Sequence, residues 1–300
     1  MGRRKIGFIG FGEVGSMFSR SMQKNGAKIL VYDSLLASEK GAEIIYNRME
    51  GEGVICSTVG ELVTNSETIF ATVTTQSAKA VAEEAAAFLK PGQMYIDLNS
   101  TSPQAKVELA ETISPSGADF VEGAILGAIG ATGVSTRLLT AGEKGLEAAD
   151  LLNQMGLNAA FYSAEIGKAA MFKMLRGIFS KGLEALILEV LIAARSASID
   201  DELWQDIVSF MTDNSFEVVA SNWVKSHALA YERRYWETVQ IVETMQELGV
   251  DPIMASATKA LFARSLSLEL SDAFPQKPGS YKEVIDTISK KLEANIGGQR

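Results

Sequence analysis

The chain has 300 residues, a formal net charge of −9, 47% apolar residues and one cysteine. That length and apolar content suit two globular domains with a sizeable core, and the acidic balance argues against nucleic acid or an anionic membrane surface as the main partner. Cys56 cannot form an internal disulfide, which points to a reducing cytoplasm. No apolar run is long enough to span a bilayer, no signal peptide follows Arg3, Arg4 and Lys5, and a single histidine leaves no zinc site of the usual type, so no metal is expected.

A short apolar strand, Ile6–Ile9, runs into Gly10-Phe11-Gly12-Glu13-Val14-Gly15 and then into a helical pattern over Glu13–Lys24. Gly10 permits the tight turn, Gly12 lets the backbone approach a pyrophosphate, and Gly15 lets the helix pack close to the strand. The N–H groups at the helix start then face phosphates. Asn25-Gly26 stops the helix before a second strand, Lys28–Tyr32. That strand ends in Asp33, about where an acid accepts hydrogen bonds from an adenosine ribose. The pattern predicts a dinucleotide site. The alternative is a structural glycine turn in some other α/β protein.

Further strands are predicted at Gly53–Cys56, Glu67–Val73, Gln93–Leu98, Asp119–Glu122, Arg137–Thr140 and Asn158–Tyr162, with helices over Ala78–Leu89, Pro103–Ile113 and Glu143–Met155. This alternation predicts an α/β Rossmann-type domain, a doubly wound and mostly parallel sheet covered on both faces. Cys56, at a strand end, reads as a small buried hydrophobe. Past Ala164 no convincing strand follows. Helical patterns cover Ile166–Ala197, Asp201–Phe210, Ser215–Glu247 with an expected break, and Pro252–Leu270. Asp272–Ser280 reads as a loop and Tyr281–Glu293 as a last helix, with the Gly-Gly-Gln-Arg end expected to fray. The domains are therefore placed at residues 1–164, dinucleotide-binding, and 165–300, all-helical, for substrate and dimerisation. Between Leu183 and Ala194 the long helix is apolar over much of its circumference, which predicts a two-fold dimer through the C-terminal half.

Ligands of open α/β sheets bind beyond the carboxyl ends of the strands. Three segments fall there: Thr74-Thr75-Gln76, Asn99-Ser100-Thr101-Ser102-Pro103, and Gly123 to Thr136. The last is rich in Gly and Ala, which allows close backbone approach to a ligand or simply makes a flexible surface loop. The hydroxyls before Pro103 can bind a ligand or cap the following helix. On the long helix, Lys173 shares a face with Ile166, Ala169, Ala170, Gly177 and Ser180, and its neighbours are mostly small. It can serve a substrate oxygen as proton donor, or it is a solvated lysine at the helix edge. His227 lies among Trp223, Tyr231, Tyr235 and Trp236, a cluster that more often forms core or dimer contacts than a binding box.

Taken in order, these segments resemble the β-hydroxyacid dehydrogenase superfamily, which includes 3-hydroxyisobutyrate and 6-phosphogluconate dehydrogenases. Gly7-Phe8-Ile9-Gly10-Phe11-Gly12 is similar to its cofactor motif, and Asp97-Leu98-Asn99-Ser100-Thr101-Ser102-Pro103 to the segment between cofactor and substrate. Phe120 to Gly127 stands at its glycine-rich substrate loop, and Lys173 at its catalytic lysine. Gly12-Glu13-Val14-Gly15, Gly167–Lys173, Lys181-Gly182 and the stretch from Glu232-Arg233-Arg234 to Gly249 resemble a poorly characterised subgroup with a phosphogluconate-dehydrogenase-like C-terminal half. The resemblance implies an NAD(P)-binding N-terminal half, a helical C-terminal half and dimers. Two departures stand out. Leu126-Gly127-Ala128 replaces a Ser-Gly-Gly element that holds a carboxylate, and Arg176 with Gly177 stands where an asparagine is usual.

The expected reaction is therefore NAD(P)-dependent oxidoreduction at a C–OH/C=O centre of a small hydroxy-acid-like substrate, with Lys173 as catalytic residue. Gly10, Phe11, Gly12, Glu13, Val14, Gly15, Asp33, Thr74, Thr75, Asn99 and Ser100 are expected to hold the cofactor. Ser100, Gly123, Leu126, Gly127, Arg176 and Gly177 are expected around the substrate, although Arg176 can equally pair with an acid at the surface. NAD is favoured over NADP: Asp33 would repel a 2′-phosphate, Ser34, Leu35 and Leu36 supply no arginine, and Lys40 is the only cation near in sequence. Two rivals remain: imine reduction, and a nucleotide-sensing protein without turnover.

Overall fold

The computed structural model describes residues 3–49 and 53–297, so that the last three residues of the expected frayed end lie outside it. Among the described residues eight strands form one sheet, in the order β3-β2-β1-β4-β5-β6-β7-β8. They are β1 (Lys5–Ile9), β2 (Lys28–Tyr32), β3 (Gly53–Ile55), β4 (Thr68–Ala71), β5 (Met94–Asp97), β6 (Asp119–Ile125), β7 (Arg137–Ala141) and β8 (Asn158–Ser163). All neighbours are parallel except β6 and β7. The strand order reverses at β1, which pairs with both β2 and β4, so a crevice opens beyond the carboxyl ends of β1 and β4.

Helices α1 (Glu13–Lys24), α2 (Glu39–Arg48), α3 (Val59–Thr64), α4 (Ala78–Ala86), α5 (Pro103–Ile113), α6 (Ile129–Thr132) and α7 (Gly145–Gln154) connect the strands. The helices α2 and α3 have short apolar stripes that the sequence reading leaves out. Ser102 accepts the Ala105 N–H at 3.2 Å and so caps α5, with Pro103 in its first turn. The strands β4 and β5 are buried on both faces, which is why they read as continuous apolar runs. The pleat divides them between two cores. Phe8, Phe70 and Ile96 pack with Phe18 and Met22 of α1 on one face, while Ile69, Ala71 and Tyr95 pack with Leu62, Ala82 and Leu109 on the other. Cys56 is buried in the second core, and burial together with Glu61 pushes its thiol up to about 11, as suits an inert hydrophobe.

Two sequence expectations change here. The strand β6 runs to Ile125 instead of ending at Glu122, because its last residues pair antiparallel with β7. Gly123 therefore sits inside the strand, where a Cβ would lie 2.3 Å from the Leu98 side chain. The expected break in the long C-terminal helix is also absent, since no Gly or Pro occurs within it.

Two compact units emerge, Met1–Ile178 and Phe179–Arg300, the division falling inside the helix α8 (Lys168–Ser196). The second unit comprises the rest of α8 with α9 (Asp200–Asp213), α10 (Phe216–Glu247), α11 (Ile253–Leu266), α12 (Leu270–Ala273) and α13 (Tyr281–Gly297). Its buried apolar groups are small: Tyr231 with Leu268 and Leu270, and Val242 with Met245 and Ala255. No helix among the described residues is long and apolar enough to cross a membrane.

Candidate active site

The first unit holds a cleft of about 420 Å³ beyond the ends of its central strands, lined among others by Val14, Thr74, Asn99, Ser100, Gly127 and Lys173. At its β1 end, Gly10 adopts φ +88°, and a Cβ there would stand 2.6 Å from the Thr72 carbonyl oxygen, so packing within the protein demands glycine. Gly12 is different: a Cβ on it would meet nothing within 4 Å. Nothing in the chain requires glycine at that point, whereas close approach of a dinucleotide does. The start of α1 also lacks a side-chain cap, which leaves its first-turn N–H groups to an anion.

Phe11 buries its ring in the first core, its N–H donates to Asp33 Oδ2 at 2.7 Å, and its carbonyl accepts from Arg48 Nη1 at 3.1 Å. Asp33 Oδ1 accepts the Leu35 N–H at 2.9 Å, so the carboxylate is held firmly at the end of β2. Arg48 is a residue that the sequence reading misses: α2 folds it back to the glycine turn, and Lys40 is not the only cation to weigh there.

Beyond β4 and β5 the hydroxyls and amides hold one another. Thr75 Oγ1 donates to the Ser100 carbonyl at 3.0 Å, and Thr74 Oγ1 lies 3.0 Å from Ser77 Oγ. Asn99 accepts the Val73 N–H at 2.7 Å and donates to Asp97 Oδ1 at 2.5 Å, so its amide serves to fix the two loops. Ser100 Oγ points to the cleft and accepts from Lys173 Nζ at 2.5 Å. Burial, helped by the positive charge of Lys106, holds the Lys173 ammonium below the usual lysine range.

Three charged side chains lie buried beneath this pair. Asp97 and Glu122 are register partners on β5 and β6. Lys106 of α5 donates to Asp97 Oδ2 at 2.5 Å, to the Asp97 carbonyl at 3.1 Å and to the Asn99 carbonyl at 2.8 Å. Glu122 accepts the Gly167 N–H at 2.6 Å and also the Ala170 N–H, and so caps the helix that carries Lys173. Burial pushes both carboxyls up; Lys106 opposes this at Asp97, and the two N–H donors oppose it at Glu122. One sequence signal was available for Lys106: it occupies the buried stripe of α5 with Leu109 and Ile113.

Not every expected substrate residue reaches the cleft. Gly127 lines it, but Gly123 lies within β6, and Leu126 packs with Ala124, Leu139, Ala141 and Ala169. Leu126 is thus core and not a pocket wall, because its side chain turns to the α8 side of the sheet. Arg176 is exposed and, like Gly177, is not among the lining residues. His227 lies in the second unit, 2.9 Å from Ser265 Oγ and tilted against Phe262, with its pKa lowered by burial and by Arg234. No group of three His, Cys, Asp or Glu among the described residues can hold a metal ion.

A doubly wound sheet with a glycine turn open at its switch point is the architecture of NAD(P)-binding dehydrogenases and reductases. Residues 5–163 match the NAD binding domain of 6-phosphogluconate dehydrogenase, so the chain belongs to that family and to the β-hydroxyacid dehydrogenase superfamily. Residues 194–265 match a domain of unknown function. An uncharacterised 28.5 kDa protein of Methanothermus fervidus is 29% identical over 86% of this chain and 97% of its own length. Glyoxylate/succinic semialdehyde reductase 1 of Arabidopsis thaliana is 24% identical over 89% of this chain and 94% of its own. An imine reductase from Myxococcus stipitatus, solved with NADP+, shares the fold at TM-score 0.74 and 18% identity, covering 88% of this chain and 94% of that one.

Proposed function

We infer that the protein reduces or oxidises a small carbonyl or hydroxy compound, with Lys173 as the group that moves the proton. The observation that carries this reading is the Lys173–Ser100 pair at the cleft, with its half-buried amine. A nicotinamide cofactor, when bound, would supply or accept the hydride. In the reductive direction the Lys173 ammonium gives its proton to the carbonyl oxygen as the carbon accepts the hydride, and Ser100 orients both amine and oxygen. In the oxidative direction the amine takes the hydroxyl proton. The backbone N–H groups from Gly12 to Gly15, at the uncapped start of α1, would hold the pyrophosphate and Asp33 the ribose, with the turn itself fixed by the Gly10 and Phe11 N–H bonds to Tyr32 and Asp33, and Thr74, Thr75 and Asn99 shape the wall beyond β4.

NAD(H) is the proposed cofactor, since the Asp33 carboxylate at the end of β2 favours a free ribose hydroxyl; Arg48 tempers that preference. The name of the Arabidopsis relative makes short aldehyde acids the first substrates to try. The lone, buried Cys56 supports the cytoplasm as compartment. The helical unit is read as the dimerisation surface. Single-turnover hydride transfer, followed by nicotinamide absorbance, tests the reaction against aldehyde acids, 3-oxo acids and cyclic imines. Reduction of a carbonyl by wild type but not by Lys173→Ala supports it. Transfer only to imines, or to nothing despite cofactor binding, rejects it.

A further inference from the structure

Lys106 stands in the stripe of α5 that also presents Leu109 and Ile113 to the sheet, and it is as buried as they are. Packing at such a position asks only for an apolar side chain. An ammonium has three protons to place, and here all three find acceptors on one short segment, Asp97 to Asn99. That segment continues into Ser100, whose hydroxyl meets Lys173 and whose carbonyl is held by Thr75. We propose that Lys106 is a positioning residue for the Ser100–Lys173 pair: it ties the Asp97–Asn99 turn from below and so fixes where Ser100 holds the lysine amine.

The proposal rests on the reading of Lys173 as the proton-moving group. The charged side chains beneath the pair are Lys106 from α5, Asp97 from β5 and Glu122 from β6, and of these Lys106 acts on Lys173 by direct repulsion. A residue that only filled space would leave the titration of Lys173 untouched. Removing Lys106 instead lifts a repulsion and frees the turn.

Competitive labelling tests this on the intact chain. Trace acetic anhydride is applied across a pH series, and mass spectrometry follows the peptide carrying Lys173 in wild type and in Lys106→Met. The midpoint of Lys173 is expected to rise by about half a pH unit or more, and kcat to fall about tenfold or more. Because Lys106→Met leaves Asp97 buried without its cation, Lys106→Met/Asp97→Asn is carried in parallel, with a smaller upward shift expected since the carboxylate leaves with its cation. An unchanged midpoint in either variant with a wild-type circular dichroism spectrum overturns the proposal, whatever happens to kcat. Labelling needs no turnover, so the two readings fail separately. Retained activity in Lys173→Ala sinks the reaction, and an unmoved Lys173 midpoint sinks the tie.

Discussion

In the sheet unit the side chains of Ile6, Phe8, Ile29, Phe70 and Ile96 are wholly removed from water. In the helical unit Ile192, Trp236 and Ile253 stand 57%, 59% and 65% exposed. The contrast has a topological cause. A parallel sheet gains helices on both faces from its own crossovers and closes its core with local chain. Long helices expose side chains all round, and the short clusters at Tyr231 and Val242 cover only part of α10 and α11. Burying a large apolar side chain gains about 1.5–3 kcal/mol. A handful of them on each of two chains is comparable with the roughly 4–15 kcal/mol that association costs. The sheet closes its own core, although Leu175 and Ile178 at the end of its unit stand 58% and 71% exposed; in the helical unit the exposed side chains form the surface proposed for a second copy.

The sharpest way to break this comparison is to ask whether the chemistry resides in the sheet unit at all. Lys173→Ala should lower turnover about 10²- to 10⁴-fold, with NAD(H) affinity changed by less than about threefold. Stopped-flow hydride transfer and fluorescence titration read the two quantities. Near-normal turnover would move the chemistry elsewhere, with Lys168 and Lys181 next in line.

Glu122→Leu probes how the sheet unit holds its lysine helix. It strands the Gly167 and Ala170 N–H groups, so urea unfolding should show a loss of about 2–5 kcal/mol. A loss below about 1 kcal/mol would mean that the helix start finds other acceptors. In the helical unit a comparable insult should act on assembly. Ile192→Glu is expected to weaken dimerisation about 10- to 100-fold, as a charge buried in an apolar interface does. Light scattering reads this, and a wild-type chain that is already monomeric at micromolar concentration removes the dimer reading.

What was legible in the sequence follows from how local each feature is. The glycine turn, Asp33 and the strand–helix alternation depend on neighbours in the chain, and the structure has them in the expected places. Lys173 was legible through the family resemblance, since its place on a face of small residues suits a solvated lysine as well. Lys106 and Glu122 were not singled out, because their roles depend on register. Asp97 and Glu122 become neighbours only when β5 pairs with β6. Arg48 depends on α2, which the sequence reading omits, and Gly123 looked like loop because pairing of β6 with β7 is a long-range event. The unbroken helix α10 could have been read from its lack of Gly and Pro.

Arg48 sets the next prediction. Wild type should bind NADH about tenfold tighter than NADPH, and Asp33→Ser should erase most of that difference. With Arg48→Ala, NADPH should weaken further while NADH changes little. Equal or tighter NADPH binding by wild type would show that Arg48 outweighs the carboxylate.

The smallest expected effect is a pH limb, and its sign discriminates among the readings. Burial and Lys106 both disfavour the Lys173 ammonium, so it loses its proton below the usual 10.5 of a lysine. Carbonyl reduction needs the ammonium: kcat should be flat at lower pH and fall as pH rises through the depressed pKa of Lys173. Oxidation needs the free amine, so its kcat should rise through the same midpoint. Lys173→Arg keeps the charge but does not titrate in this range, so any residual reductive activity should lose the alkaline limb, and oxidation should be the more impaired direction. A reductive limb that survives in Lys173→Arg would belong to another group, and Lys173 would then be a binding cation for an anionic substrate instead of its proton donor.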